Sequence, residues 1–186
     1  MKSKLKPIPI ILLVHCFIFF ASFHATAQAI TGEDIKAQFI KDWERAKAYT
    51  LEYLAAMPGD KYSFKAVDSI RSFAQQMLHL AQGSVNLISN GTGQTRIFSG
   101  RNLESSPGAQ TKDSVTYYVT QSYDFAISGL KSLDASKLGE TNGTGNFKQT
   151  RFAWILKAFE HQTHHRGQTT IYIRLLGIRP PGERLF

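Results

Sequence analysis

The apolar positions of this chain fall into four stretches with a period near 3.6 residues, separated by segments rich in Gly, Pro, Asn and Ser. The first stretch runs from about Glu33 to Met57. It carries Ile35, Phe39, Trp43, Ala46, Tyr53 and Leu54 at helical spacing, and Met57-Pro58-Gly59-Asp60 closes it with a turn signal. A second helix is predicted from about Ser69 to Asn90, with Ile70, Met77, Ala81 and Ile88 on its apolar side and Asn90-Gly91 as its stop. Thr92 to Gly108 reads as a long connection. A third helix is predicted from about Lys112 to Leu133, with Thr111 or Asp113 as N-cap. After the polar connection KLGETNGTGN, a fourth runs from about Thr150 to Leu176, stopped by Gly177 and Pro180-Pro181. Four long helices without alternating strands predict an all-α four-helix bundle with one or two longer crossover connections.

The chain begins differently. Lys2, Lys4 and Lys6 precede an apolar run from about Ile8 to Phe23, and small residues follow at Ala25, Ala27 and Ala29. This is the pattern of a secretory signal peptide over residues 1–29, cut before Gln28 or Ile30. The run is short for a membrane span and holds Pro9 and His15, so no stable membrane anchor is expected after cleavage. The expected product is a single exported domain of residues 30–186, periplasmic or secreted. Cys16 is the only cysteine of the sequence and leaves with the leader, which excludes disulfides and thiol nucleophiles from the rest.

Charge narrows the function classes further. Without the three leader lysines, 19 basic residues face 14 acidic ones, a net of +5 instead of +8. The surplus is spread out, so no nucleic-acid partner is expected. His15 and His24 also go, leaving His79, His161, His164 and His165.

Three of those four lie in EHQTHHRGQTT, residues 160–170. At 100° per residue, His161 and His165 sit about 40° apart on adjacent turns. They share the stripe of Trp154, Ala158, Tyr172 and Leu176, which faces the bundle interior. Two buried imidazoles need partners, and a divalent ion can partner both, although such pairs also arise without one. A third ligand from a facing helix would leave a coordination position open, as in catalytic sites. His164 falls at the border of the stripe, to support the pair or meet solvent. His79 lies opposite the apolar side of the second helix, on a polar strip with Ser72, Gln75, Gln76, Gln82 and Asn86. Either that strip is solvated or it lines a wet cavity opening on the fourth helix. Gln75, Gln82, Asn86 and Tyr172 have angles suited to such a pocket. Glu160 points about 100° away from the pair and is a poor general base.

HHRGQTTIYIRLLGIRPP (His164 to Pro181) resembles the C-terminal signature of the DinB-like, YfiT-like four-helix bundle family, and YLAAMPGDKYSFKAVDSIRSFAQQMLHLAQGSVNLI resembles its first two helices. The resemblance spans about Glu33 to Pro181. It implies a homodimer and a divalent metal ion, nickel or zinc, held by three histidines. One is His79, in the Met77-Leu78-His79 context, and the others are His161 and His165 of the H-x-x-x-H motif. His164, Arg166 and Gly167 also fit the family pattern. On physical grounds Arg166 would pair with a carboxylate or cap a turn, and Gly167 would let a neighbouring backbone approach.

The expected function is that of a metal-dependent hydrolase acting on a small molecule, with the ion activating water. Two alternatives stand beside it. Several family members resemble thiol transferases, so metal-assisted S-transfer is one, although an exported protein has poor access to a cytoplasmic thiol. The other is a non-enzymatic exported metal-binding or stress protein.

Overall fold

The structure is a computed structural model that describes residues 29–186. The leader expected over residues 1–29 lies, but for its last residue, outside the described residues. Among these, the main elements are four long helices: α1 (Gly32–Ala56), α2 (Phe73–Thr92), α3 (Lys112–Ser132) and α4 (Arg151–Leu175). This is the all-α bundle that the periodicity predicts.

Each helix starts where a hydroxyl side chain can satisfy a free backbone N–H. Thr31 accepts from Asp34 N and Ser72 from Gln75 N, and in both cases the third helical residue returns a bond to the cap backbone. Thr111 and Thr150 cap α3 and α4. The Ser72 box starts α2 later than the apolar pattern suggests. Ile70 therefore precedes the helix instead of packing on its inner face, and it is 36% exposed. At the other end α2 runs past Asn90-Gly91 and stops at Gly93, whose φ of 82° suits glycine.

α2 packs mainly against α4 and α3, and α1 against α3 and α4. The connections α1–α2 and α3–α4 thus cross diagonals of the bundle, while α2 and α3 are neighbours. Small residues let α2 and α4 approach closely. A Cβ on Gly91 would stand 2.7 Å from Ile155 Cγ1 and 3.2 Å from Arg151 O. The core is aromatic at its centre, where Trp43 meets Tyr123 and Phe159 edge-on at 5.5 and 5.7 Å.

Two features depart from the apolar pattern. The connection from 133 to 150 is not plain loop: a short 3₁₀ turn, Ala135–Gly139, leads into a hairpin of β1 (Thr141–Asn142) and β2 (Gln149–Thr150) with Thr141 opposite Thr150. And α4 buries two stripes, not one. Beside Trp154, Ala158, His165 and Tyr172, it buries Ile155, Gln162, Arg166, Thr169 and Ile173. Three of the five residues of that second stripe are polar, so it is invisible to a hydrophobic pattern. Its polar groups are paired: Tyr123 Oη donates to Gln162 Oε1 at 2.8 Å and lies 2.7 Å from Thr50 Oγ1. Among the described residues no helix is long and apolar enough to cross a membrane.

Candidate metal centre

The close seam between α2 and α4 brings three histidines together. His79 comes from α2, and His161 and His165 from adjacent turns of α4. Their ring centroids are 5.2 Å (His79–His161), 4.5 Å (His79–His165) and 4.4 Å (His161–His165) apart. One nitrogen from each ring lies within 4.8 Å of the others, a spacing that could hold a metal ion. Of the polar side of α2, His79 and Gln76 therefore face α4, and the His79 side chain is only 30% exposed.

Gly83 makes the cluster possible. A Cβ there would collide with the His161 ring, coming within 2.6 Å of Nε2. Glycine inside a helix costs roughly 1 kcal/mol relative to alanine, and here the missing Cβ seats an imidazole. His161 Nδ1 is buried and has no hydrogen-bond partner among the described residues. Burial first, then the charges of His79, His164 and Arg71, lower His161 from 6.5 to about 4. Burial, followed by His161, His79, His164 and Arg71, lowers His165 to about 3. At neutral pH both rings are neutral, the form in which imidazole binds metals.

The surrounding groups fix the rings. His79 Nδ1 lies 2.5 Å from Glu104 Oε1, and Arg71 Nε donates to Glu104 Oε2 at 2.5 Å. Glu104 thus holds His79 with Nε2 directed away from the carboxylate, the carboxylate–histidine arrangement of many metal sites. Burial by itself would raise the Glu104 carboxyl, but the hydrogen bonds from Arg71 and His79 outweigh it and hold it below its ordinary value. The Gln76 amide nitrogen lies 2.9 Å from His165 Nδ1, and the same amide touches Gln168. A half-turn of that amide exchanges donor for acceptor, so a ligating His165 Nε2 calls for the Gln76 carbonyl on this side.

A cleft of about 670 Å³ adjoins the cluster, its polar wall formed by Arg71, Gln76, Glu104, Gln168 and Tyr172. Ile70 and Ile171 supply an apolar side. Tyr172 Oη donates to Arg71 O at 2.7 Å, which ties α4 to the segment before α2. Burial, against the opposing charge of Arg71, raises the Tyr172 phenol.

The other sequence candidates fall elsewhere. Gln75 completes the α2 cap and donates to Glu104 O at 3.4 Å. Gln82 bonds Arg101 O and Leu103 N, anchoring the connection that carries Glu104. These two support the wall without facing the cleft. Asn86 is exposed and lies outside it. His164 is exposed, its Nε2 3.0 Å from Gln168 Nε2, and Glu160 is exposed too. Among the described residues Arg166 neither pairs with a carboxylate nor caps a turn. Its Nη1 donates to Gln162 Oε1 at 2.8 Å and to Thr50 Oγ1 at 3.3 Å. Gly167 permits no close approach, since a Cβ there would meet nothing within 4 Å. On the seam between α2 and α4 the close approaches belong to Gly83 and Gly91.

Glu104, Arg71, Gln76 and Gly83 are the site residues missed as such by sequence. Glu104 left one trace, as the only carboxylate between Thr92 and Gly108. Gly83 left another, as a glycine in mid-helix.

Residues 27–184 match the model of the DinB family. A DinB-like protein from Bacillus cereus has a similar fold, with a TM-score of 0.67 at 19% identity, over 78% of this chain and 95% of its own. A DinB-like protein from Bacillus subtilis is similar with a TM-score of 0.60 at 18% identity, over 80% and 96%. A conserved protein from Enterococcus faecalis matches with a TM-score of 0.63 at 17% identity, over 80% and 99%. No curated protein matches at a significant level.

Proposed function

The chain belongs to the DinB family, and from that premise we propose that His79, His161 and His165 hold one divalent ion, nickel or zinc, in a metal-dependent hydrolase. The observation that carries this reading is the convergence of three imidazoles from two helices, one of them with a buried Nδ1 that has no hydrogen-bond partner among the described residues. A buried polar atom without a partner costs free energy, and a ligand at that point removes the cost. When bound, the ion supplies Lewis acidity that acidifies water and polarises an acyl or similar group.

The chain's own residues do the rest. Glu104 orients His79 through Nδ1 and is a positioning residue, since both of its oxygens are already engaged. Gln76 orients His165. The cleft admits a small molecule with a polar end toward Gln76 and Glu104 and an apolar part along Ile70 and Ile171. An open cleft of this volume beside the histidines favours a reacting centre over an ion that only stabilises the bundle.

The test is the metal content of tag-free protein by elemental mass spectrometry, with His161→Ala and His165→Ala beside it. About one divalent ion per chain, lost in the variants, is expected. Its retention in His161→Ala would overturn the ligand set. Turnover of an ester and amide panel that disappears on chelation then separates hydrolysis from thiol transfer, which requires an added thiol. The proposed homodimer is tested by sedimentation.

A further inference from the structure

Arg166 lies next to His165 in sequence but serves the side of α4 that faces α1. It is 7% exposed. Nη1 donates to Gln162 and Thr50, and the guanidinium sits 4.6 Å from the centre of the Tyr49 ring. All of these partners are neutral. Among the described residues no carboxylate comes within ion-pair distance of Arg166, whereas nearby Arg45 has Asp42 at 2.9 Å and Arg184 has Glu52 at 2.6 Å. A buried cation with only neutral partners is costly to hold, and a counter-ion lowers that cost.

Arg166 lines a cleft of about 220 Å³, together with Arg45, Tyr49, Tyr53, Thr163 and Arg184. Thr163 Oγ1 accepts from Gln162 Nε2 at 2.6 Å, so its own hydrogen is left to donate. One carboxylate, Glu183, also lines this cleft, beyond ion-pair distance of Arg166. The volume suits a small ion and excludes a nucleotide.

We propose that this cleft binds a small oxyanion, a phosphate or a carboxylate, anchored by the buried Arg166 guanidinium and a Thr163 hydroxyl. The planar fork of arginine matches two oxygens of such an ion, and charge-assisted bonds in a sheltered site are among the stronger ones. The site is separate from the histidine cluster and does not depend on the metal.

The test follows the Arg166 Nε–Hε resonance in the full chain, freed of metal and desalted, during titration with inorganic phosphate and separately with acetate. Removing the metal keeps phosphate from reporting on the histidines. A saturable shift in the millimolar range or tighter with either anion is expected, and the anion that binds more tightly identifies the source chemistry. Arg166→Lys, which lacks that resonance and is followed instead through the backbone amide of neighbouring Gly167, should weaken it about tenfold or more. Thr163→Val, at an exposed helical position where folding is safe, should weaken it several-fold. Glu183→Gln should tighten it by removing the competing carboxylate. A shift that never saturates with either anion, or an affinity unchanged in Thr163→Val and untightened in Glu183→Gln, would overturn the proposal.

Discussion

At the residue scale, the proposed metal centre depends on groups that are not ligands. Glu104→Gln keeps the shape but gives up a charged acceptor for His79 Nδ1. It is expected to weaken metal binding about 10- to 100-fold with a normal circular-dichroism spectrum, as read by competition against a chelator. Gly83→Ala should do more damage, because its methyl would occupy the His161 ring position. Metal content should fall even though alanine favours helix. Gly167→Ala is the contrasting control: it has open space in mid-helix and should stabilise the protein by up to about 1 kcal/mol, seen as a higher melting temperature. Protonation acts on the same rings. His161 and His165 are lowered in the folded state to about 4 and about 3. Below pH 6.5 the unfolded chain therefore binds protons that the folded one refuses. The metal-free protein should lose stability as pH falls from 6.5 toward 4, and a melting temperature as high at pH 5 as at pH 7 would contradict this.

At the element scale, the helix starts are written in single residues and the site inherits their placement. Ser72 fixes the first turn of α2, and Gln75 of the same cap reaches Glu104 O. Ser72→Ala is expected to cost about 1 kcal/mol of stability and to loosen the Glu104 connection, so metal affinity should fall as well. A cap that mattered only to the helix would change the melting temperature alone. The two buried stripes of α4 divide the labour. One carries His161 and His165 to α2, while the other carries Gln162 and Arg166 into hydrogen bonds with α1 and α3. The helix can therefore present imidazoles on one side because polar groups lock its other side in register.

At the scale of the whole molecule, an ion bridging α2 and α4 ties together the helix pair with the closest seam. Such an ion binds the folded chain and not the unfolded one, so removing it should lower the melting temperature. At a free metal concentration a thousand times Kd, the expected stabilisation is about 4 kcal/mol. Calorimetry before and after chelation measures it, and identical curves would mean that no ion had been bound in the folded state.

The four helices, the Thr111 cap of α3 and the inward stripe of α4 were legible in the sequence, because they depend on local periodicity and on side chains a few residues apart. The pairing of His161 with His165 was legible for the same reason. The place of His79 was named by the family resemblance but not by periodicity, since one helix cannot say whether its polar side meets water or another polar side. Tertiary packing decided that, by seating α2 against α4 at Gly83 and Gly91. It also decided the roles of Glu104, Arg71 and Gln76, which reach the histidines across separations from 8 to 89 residues. Arg166 was misread for the complementary reason: its charge suggested a carboxylate, whereas the fold surrounded it with neutral oxygens and a tyrosine ring. Short-range chemistry shapes elements, and only their packing determines which polar groups share a buried space.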